Sequence, residues 1–189
     1  MSHNKRDELI RNALKVFYRN GFNATGMDKI AKETGVSKTS IYKHFRTKDD
    51  LILAVLRQRD ADFRNWLFRR MEDLGSTPEE QLIAMFDALE EWFNAGGFQG
   101  CMFIKASAEF QNKDDAINRQ SYAHKQLLAD HFKRLAASAG FRDPHDLARR
   151  FLILKEGAIV IAAMSHDPAP AAEAKRIAHQ ILDSEPRTS

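Results

Sequence analysis

Apolar residues recur along this chain at intervals of three and four, which is the spacing of one buried face of an α-helix. One such stripe runs from Leu9 to Tyr18, and another extends from Leu51 to Phe68. The nine glycines and five prolines stand mostly between the stripes, where they end one helix or begin the next. The pattern predicts an all-α protein of about nine helices, without a convincing strand or an internal repeat.

Caps and turn residues set the predicted ends of these helices. Gly21 and Gly140 follow apolar stripes, whereas Pro78, Pro144 and Pro168 stand where new stripes begin. The predicted helices cover about residues 5–20, two short segments within 28–44, then about 48–74, 79–94, 101–110, 114–139, 144–165 and 167–182. The last seven residues, DSEPRTS, are expected to form a frayed tail.

The stretch from Asp28 to His44 predicts two short helices joined by a sharp turn. Gly35 permits the backbone to reverse, and the hydroxyl of Ser37 caps the second helix. Ile41 and Phe45 lie four apart and face inward. The residues left outside are Lys38, Thr39, Ser40, Tyr42, Lys43 and His44. This is the pattern of a helix-turn-helix, whose second helix enters the major groove of DNA.

Positive charge is concentrated where this motif lies. Residues 1–48 hold eleven Lys and Arg against four Asp and Glu, a net charge of +7, while the remaining residues carry a net charge of −4. A basic segment favours a polyanion as partner, because neutralising phosphates supplies most sequence-independent affinity for DNA. Taken alone, the charge also fits chance clustering on solvated helix faces; the motif decides in favour of DNA.

Composition excludes several other classes of protein. A chain of 189 residues that is 43% hydrophobic has enough apolar side chains for a core. It has no apolar run of membrane-spanning length, and its start, MSHNKRDELI, is too polar for a secretory signal. The single cysteine, Cys101, excludes an internal disulfide framework. The missing membrane span and secretory signal lead us to expect a cytoplasmic protein. No sequence motif of an enzyme is found, so we do not expect an enzyme.

The segment Phe22 to Leu56 resembles the DNA-binding end of the TetR/AcrR transcriptional regulators. The matching residues are Thr25, Ile30-Ala31, Gly35-Val36-Ser37, Ile41-Tyr42, His44-Phe45, and Lys48 followed by Leu51. The resemblance implies a three-helix DNA-binding domain over residues 1–47. It also implies a helical domain over residues 48–189 for effector binding and dimerisation.

The candidate DNA contacts divide into base and phosphate contacts. Lys38, Thr39 and Ser40 start the second helix, so we expect them at base edges, where lysine donates to guanine and the threonine methyl contacts a thymine methyl. The resemblance implies phosphate contacts for Thr25, Tyr42, His44 and Lys48, and either a base or a phosphate contact for Lys43. Thr25 is also expected to be the N-cap of the first helix of the motif.

A symmetric dimer is predicted because one short helix reads only a few base pairs, whereas two modules about 34 Å apart read a near-palindrome. The last two helices form the expected dimer surface. Apolar residues on more than one side of the first of them are Phe151, Leu152, Leu154, Ile159 and Ile161. Gly157, in the middle of that helix, indicates either a close helix approach or a local kink.

A pocket for an unknown small-molecule effector is implied by the resemblance, and no cofactor is expected. The candidate pocket residues are Phe63, Trp66, Phe86, Trp92, Phe103, Glu109, Tyr122 and Lys155. For the aromatic residues the alternative is ordinary core packing. For Glu109 and Lys155 it is a salt bridge with each other or with a neighbour, and Lys105 is a possible partner four residues before Glu109.

The predicted function is a ligand-responsive repressor that binds a near-palindromic DNA operator as a homodimer and is released by its effector. One alternative is control by a protein partner. Another is thiol chemistry at Cys101, which starts a helix, where the dipole favours a thiolate; the competing interpretation is a small buried hydrophobe. His124 and His131 lie seven residues apart, but with Asp130 they do not complete a metal site, so none is predicted.

Overall fold

The chain is helical over almost its whole length. A computed structural model describes residues 2–188, and this range contains nine α-helices. They are α1 (Ser2–Asn20), α2 (Met27–Thr34), α3 (Lys38–His44), α4 (Lys48–Leu74), α5 (Pro78–Asn94), α6 (Met102–Glu109), α7 (Ala116–Ser138), α8 (Pro144–Ser165) and α9 (Ala169–Ser184). Over the same range the only extended pairing is one isolated bridge, between Phe141 and Arg187. The all-α prediction is confirmed.

The helices pack into two compact units. Unit 1 comprises the chain up to Asp62 together with Met102–His124, and unit 2 comprises Phe63–Cys101 and the chain from Lys125 onward. Helices α4 and α7 therefore each contribute to both units, and α6 belongs to the unit that contains the helix-turn-helix. The predicted domain boundary after residue 47 stays a prediction.

The core of the helix-turn-helix is built from the predicted apolar stripes. Leu9, Ala13 and Phe17 of α1 are buried, as are Ile41 and Phe45 at the inner side of α3. Burying such a side chain contributes about 1.5–3 kcal/mol relative to leaving it in water. The inner face of α3 is thereby fixed, and its other faces are free to carry polar side chains.

The turn between α2 and α3 has the predicted chemistry. Gly35 ends α2 in the left-handed conformation with φ +71°, which a side chain would strain. The Ser37 hydroxyl then accepts a hydrogen bond from the Ser40 amide at 3.2 Å and caps α3. A cap of this kind stabilises a helix by about 1 kcal/mol, which matters for a helix of only seven residues.

The predicted capping role of Thr25 is wrong. The N-cap of α2 is Gly26, which makes no side-chain capping bond. Thr25 is buried, and its hydroxyl donates to the Gly21 carbonyl at 2.7 Å. Because the chain enters α2 one residue later than expected, this hydroxyl closes the preceding loop instead of capping the helix.

The chain end is packed through Thr188, so the prediction of a frayed tail is also wrong. The amide of Thr188 donates to the Gly140 carbonyl at 2.8 Å. Arg187 lies 4.2 Å from the centre of the Phe141 ring and pairs with Glu79 at 2.6 Å. The tail supplies donors to carbonyls left unpaired at the end of α7, a long-range contact that sequence polarity does not reveal.

The core of unit 2 is formed by α5, α8 and α9. Phe86 of α5 packs against Phe151 of α8 with 5.9 Å between ring centres, and both side chains are buried. The buried face of α9 is lined by small residues, Ala171, Ala174 and Ala178. Small side chains allow helices to pack closely, so this core places the opposite faces of α8 and α9 at the surface.

His131 in unit 2 gives the fold a predicted dependence on pH. Burial, aided by nearby Arg134, lowers the pKa of His131 from 6.5 to about 4, and its ring stacks on Phe68 at 3.7 Å. Between pH 6.5 and about 4, His131 is therefore protonated in the unfolded chain and neutral in the folded chain. We expect stability to fall by about 1–3 kcal/mol as pH falls through that window.

Replacing His131 by phenylalanine keeps a ring for stacking and removes the proton. Urea unfolding from pH 7.5 to 4.5 should then show a smaller loss of stability for His131→Phe than for the wild type. The matched control is His145→Phe, because His145 is exposed. An unchanged pH profile in His131→Phe contradicts the assignment.

Candidate DNA-binding and effector sites

The outer face of α3 carries the predicted DNA contacts. Thr39, Tyr42, Lys43 and His44 are exposed, and Ser40 is half-buried. Tyr42 leaves 47% of its surface in water, although a large aromatic side chain is usually covered. With its inner side anchored, α3 presents a rigid polar surface that fits a major groove.

Lys38 is exposed but already paired. Its ammonium lies 2.9 Å from the Asp28 carboxylate, and this hydrogen bond, with the attraction between the two charges, raises the pKa of Lys38. Lys38 therefore stays charged at neutral pH. A contact from Lys38 to a base requires it to leave Asp28, so Asp28 adds an exchange step that the sequence did not predict.

Two of the predicted phosphate contacts, Lys48 and Thr25, lie outside α3 and differ in exposure. Lys48, the first residue of α4, is half-buried. A phosphate contact by Thr25 stays a prediction, and it requires the hydroxyl to release the Gly21 carbonyl. Arg6 of α1 lies over the ring of Phe45 at 5.0 Å, which fixes a further positive charge beside α3.

An aromatic cluster lies in unit 2. The Phe63 ring centre is 5.5 Å from that of Trp66 and 5.0 Å from that of Trp92. Phe98 joins the cluster against Trp92 at 4.9 Å, and Phe93 lies 4.8 Å from Phe98. Phe98 stands in the glycine-rich loop after α5, where Gly97 with φ +89° permits the turn. Phe98 was not predicted as a candidate residue, because only the position of the loop in the fold brings it to the cluster.

A buried ionic network adjoins this cluster. The ammonium of Lys155 is fully buried, lies 5.4 Å from the centre of the Phe63 ring, and pairs with Glu156 at 2.8 Å. Lys125 pairs with the same carboxylate at 2.6 Å and lies 3.3 Å from the Cys101 sulfur. Two ammonium groups thus share one carboxylate, which is the neighbouring salt bridge considered for Lys155.

The pKa values of these groups reflect the competition between burial and charge. Burial lowers the pKa of Lys155, with Glu156 acting in the opposite direction. Burial by itself raises the pKa of Glu156, but Lys155 and Lys125 outweigh it and hold that pKa at about 2. Glu156 is therefore ionised at neutral pH and anchors the network.

Comparison with known proteins identifies the family. The family model described as "Bacterial regulatory proteins, tetR family" matches residues 9–55, which contain the helix-turn-helix. The crystal structure of SCO4454, a TetR-family transcriptional regulator from Streptomyces coelicolor, is similar with a TM-score of 0.87 and 29% identity over 94% of this chain and 88% of that one. This chain belongs to the TetR family of transcriptional regulators.

Two curated TetR-family relatives extend the similarity. The HTH-type transcriptional regulator YjdC of Escherichia coli K12 is 22% identical over 94% of this chain and 93% of its own length. The HTH-type transcriptional repressor KstR2 of Mycolicibacterium smegmatis is 28% identical over 78% of this chain and 74% of its own length. TetR-family members bind DNA, act as dimers and are not enzymes.

The candidate effector residues of this TetR-family chain do not all gather in one place. Phe63, Trp66, Trp92 and Lys155 lie together in unit 2, whereas Phe86 packs in the core against Phe151. In unit 1, Phe103 stacks on His124 at 3.7 Å, Glu109 binds backbone amides, and Tyr122 is exposed. Effector contacts by these residues stay predictions.

Two cavities of unit 2 offer space. One of about 170 Å³ is lined in part by Phe93, Phe98 and Ala162, so it borders the aromatic cluster. The other, of about 480 Å³, lies between α5 and α9, where Lys175 pairs with Asp87 at 2.6 Å. Because Lys175 and Asp87 already neutralise each other, they favour a structural role for this second region. The first cavity, beside the aromatic cluster, is the better candidate for an effector site.

The part of the chain that the structure describes shows neither a metal-binding cluster nor a membrane-spanning helix. Within residues 2–188, no three His, Cys, Asp or Glu side chains cluster in a way that would hold a metal ion. His124 instead lies 2.7 Å from Asp60 and is buried. None of the helices in that range combines the length and apolar character needed to cross a bilayer.

Proposed function

We propose that this chain is a ligand-responsive repressor in the cytoplasm that binds a near-palindromic operator as a homodimer and leaves it when a small molecule binds. The observation that carries the proposal is the anchored α3 with its exposed polar and basic face. The similarity to KstR2, whose name describes it as a repressor, favours repression. The net charge of +7 over residues 1–48 supports the phosphate contacts.

The proposed dimer surface is an apolar stripe on α8. Ile153, Ile161 and Met164 leave 66%, 54% and 75% of their surfaces in water, and the three lie on one helix face. Gly157 lies between them, and a Cβ added there would meet no atom within 4 Å. Among the residues that the structure describes, no close approach explains this glycine, so the approach of a partner's helix is the better account.

The apolar residues predicted on more than one side of α8 divide between an inner and an outer side. Phe151 and Ile159 are buried within the chain itself, and Ile161 is exposed. Ile153, which was not among the predicted residues, supports the surface better. Exposed Ile177 extends the apolar area to α9, so the last two helices remain the proposed interface.

The proposed effector site is the aromatic cluster with Lys155. Ligand sites are mostly apolar with a few polar groups that orient the ligand, and here the buried ammonium of Lys155 lies against Phe63 of the aromatic cluster. An effector displaces the operator only if it binds the two conformations of the protein unequally. An effector that binds beside Phe98 meets this condition if the glycine-rich loop has to move to admit it, because the effector then binds the moved conformation more tightly.

Operator selection followed by a ligand screen tests the proposal. A randomised DNA library yields the preferred duplex, which should show two related half-sites about one DNA turn apart. Compounds are then ranked by their shift of the melting temperature and by loss of operator binding. A compound that does both supports the proposal, failure of every compound favours control by a protein partner, and the absence of any preferred duplex contradicts it.

Thiol chemistry at Cys101 is the second candidate. Cys101 is buried immediately before α6, and the ammonium of Lys125 donates a hydrogen bond to its sulfur at 3.3 Å. Burial alone lowers the pKa of Lys125, but Cys101 and Glu156 raise it overall, so this ammonium stays charged.

If this candidate is correct, N-ethylmaleimide will weaken operator binding. The cysteine sulfur bonds to one carbon of the carbon–carbon double bond and the other carbon takes the proton, which gives an adduct too bulky for the buried position of Cys101. We expect a loss of at least about tenfold in operator affinity, measured by fluorescence anisotropy with labelling followed by mass spectrometry. Cys101→Ala should bind the operator normally and resist the reagent; an equal response of both proteins excludes Cys101 as the sensor.

A further inference from the structure

The loop between α1 and α2 forms a backbone cradle that is filled by a distant carboxylate. The amide of Phe22 donates to both oxygens of Glu109, at 3.0 and 3.1 Å, and the amide of Asn23 donates to Oε2. Gly21 opens the cradle with φ +79°, and a Cβ there would meet Glu109 Oε1 at 3.1 Å. Successive amides in such a turn concentrate partial positive charge, which suits an anion.

Lys105 makes a second polar contact between α6 and the same region. Its ammonium donates to the Tyr18 carbonyl at 3.1 Å and lies 5.2 Å from the centre of the Tyr18 ring. Lys105 and Glu109 are four residues apart, so they share one face of α6. That face binds a carbonyl at the end of α1 and the amides that follow it, which accounts for both ends of the connection.

The cradle leads directly into the helix-turn-helix. The Thr25 hydroxyl donates to the Gly21 carbonyl at 2.7 Å, and Lys29 of α2 donates to the Asn20 side chain at 2.6 Å. The Phe22 ring packs on Phe17 of α1 and on Phe110 just after α6. Because these contacts fix the loop to both helices, a displacement of α6 would shift the start of α2, to which α3 is joined by a three-residue turn.

We propose that Glu109 is a positioning residue for DNA reading: its carboxylate holds the loop between α1 and α2, and thereby the placement of α3. This inference rests on the proposed function and adds a residue that positions the DNA-reading helix. Glu109 touches no DNA in this account, and its carboxylate acts only through the loop at Phe22 and Asn23.

A pair of glutamate variants tests this positioning role. Glu80 accepts hydrogen bonds from the amides of Ser76 and Thr77 in unit 2, so Glu80→Ala removes the same chemistry and the same charge as Glu109→Ala. Both variants should lower the melting temperature by similar amounts. We expect only Glu109→Ala to weaken binding to the selected operator, by about tenfold, with binding to unrelated duplex DNA changed equally little in both.

The ratio of operator to unrelated-DNA affinity decides the outcome, because loss of folded protein lowers both affinities together. Hydrogen exchange gives an independent readout: Glu109→Ala should accelerate exchange at Phe22, Asn23 and in α3. If Glu109→Ala does not fold, Glu109→Gln, which keeps one acceptor oxygen, should show the same change of ratio at smaller size. Equal ratios in the wild type and both Glu109 variants, or an equal loss in Glu80→Ala, overturn the inference, whereas a wild type without any operator preference overturns the proposed function as well.

Discussion

Changing Lys43 to glutamate will abolish specific operator binding while leaving the fold intact. Lys43 is exposed on the outer face of α3, so the substitution removes no core contact, and surface changes of this kind alter stability little. On DNA, however, the new carboxylate faces phosphates or base acceptors, and like charges brought together are strongly unfavourable. We expect the operator affinity to fall at least about 100-fold at 0.15 M salt, measured by fluorescence anisotropy.

The matched control is Lys133→Glu, which makes the same charge change at an exposed position of α7 in unit 2. It should weaken operator binding only slightly, and both variants should melt near the wild-type temperature. An equal loss in the two variants would mean that net charge, and not the α3 face, governs binding. That result contradicts the proposed DNA interface.

The variant Lys43→Ala distinguishes between the two contacts predicted for this residue, one to a base and one to a phosphate. If Lys43 neutralises a phosphate, the slope of the logarithm of affinity against the logarithm of salt concentration becomes smaller by about one unit, and all DNA sequences lose affinity alike. If it binds a base, the slope changes less and the preference at one position of the operator relaxes by about 1–3 kcal/mol. The salt series and a new operator selection therefore give different signatures.

The sequence predicted the helices well because their ends are determined locally. Helix α4 begins at Lys48 as expected, where Thr47 and Asp50 exchange backbone-to-side-chain hydrogen bonds, and it ends at Leu74 before a glycine. The turn through Gly35 and Ser37 is equally local. Caps, turns and apolar periods act over a few residues, so they can be recognised in a single sequence.

The contacts that were missed join residues far apart in the chain. Spacing made Lys105 a candidate partner for Glu109, yet their shared helix face contacts residues 87 positions away. Arg187 likewise holds the chain end to Glu79, 108 positions away. Polar side chains at regular spacing do not indicate which distant backbone groups they satisfy, so only the folded chain reveals these roles.

The effector site was only partly predictable for a related reason. Phe86 and Trp92 both belong to the apolar stripe of α5, but Phe86 is buried against Phe151 and Trp92 joins a half-buried cluster. A period of 3.6 identifies the side of a helix that faces inward. It does not distinguish a residue packed in the core from one that borders a cavity.

Ile161→Glu will dissociate the dimer and thereby weaken binding to the full operator. Ile161 lies in the middle of the exposed stripe on α8, and 54% of its surface is in water in the single chain, so the isolated subunit should remain folded. In a symmetric dimer the substitution occurs on both partners and buries two unpaired carboxylates in an apolar interface. We expect the dimer dissociation constant to rise at least about 1000-fold, which corresponds to about 4 kcal/mol.

Analytical ultracentrifugation measures the dimer, and fluorescence anisotropy on a full operator and on a half-site measures its consequence. The variant should bind the full operator no better than the half-site, because two tethered modules are needed to occupy both halves together. The matched control is Leu127→Glu, since Leu127 is an exposed leucine of α7 with 41% of its surface in water. It should remain dimeric. A dimeric Ile161→Glu protein, or a monomeric Leu127→Glu protein, would place the interface away from the α8 stripe, because a charge is tolerated only where no partner covers it.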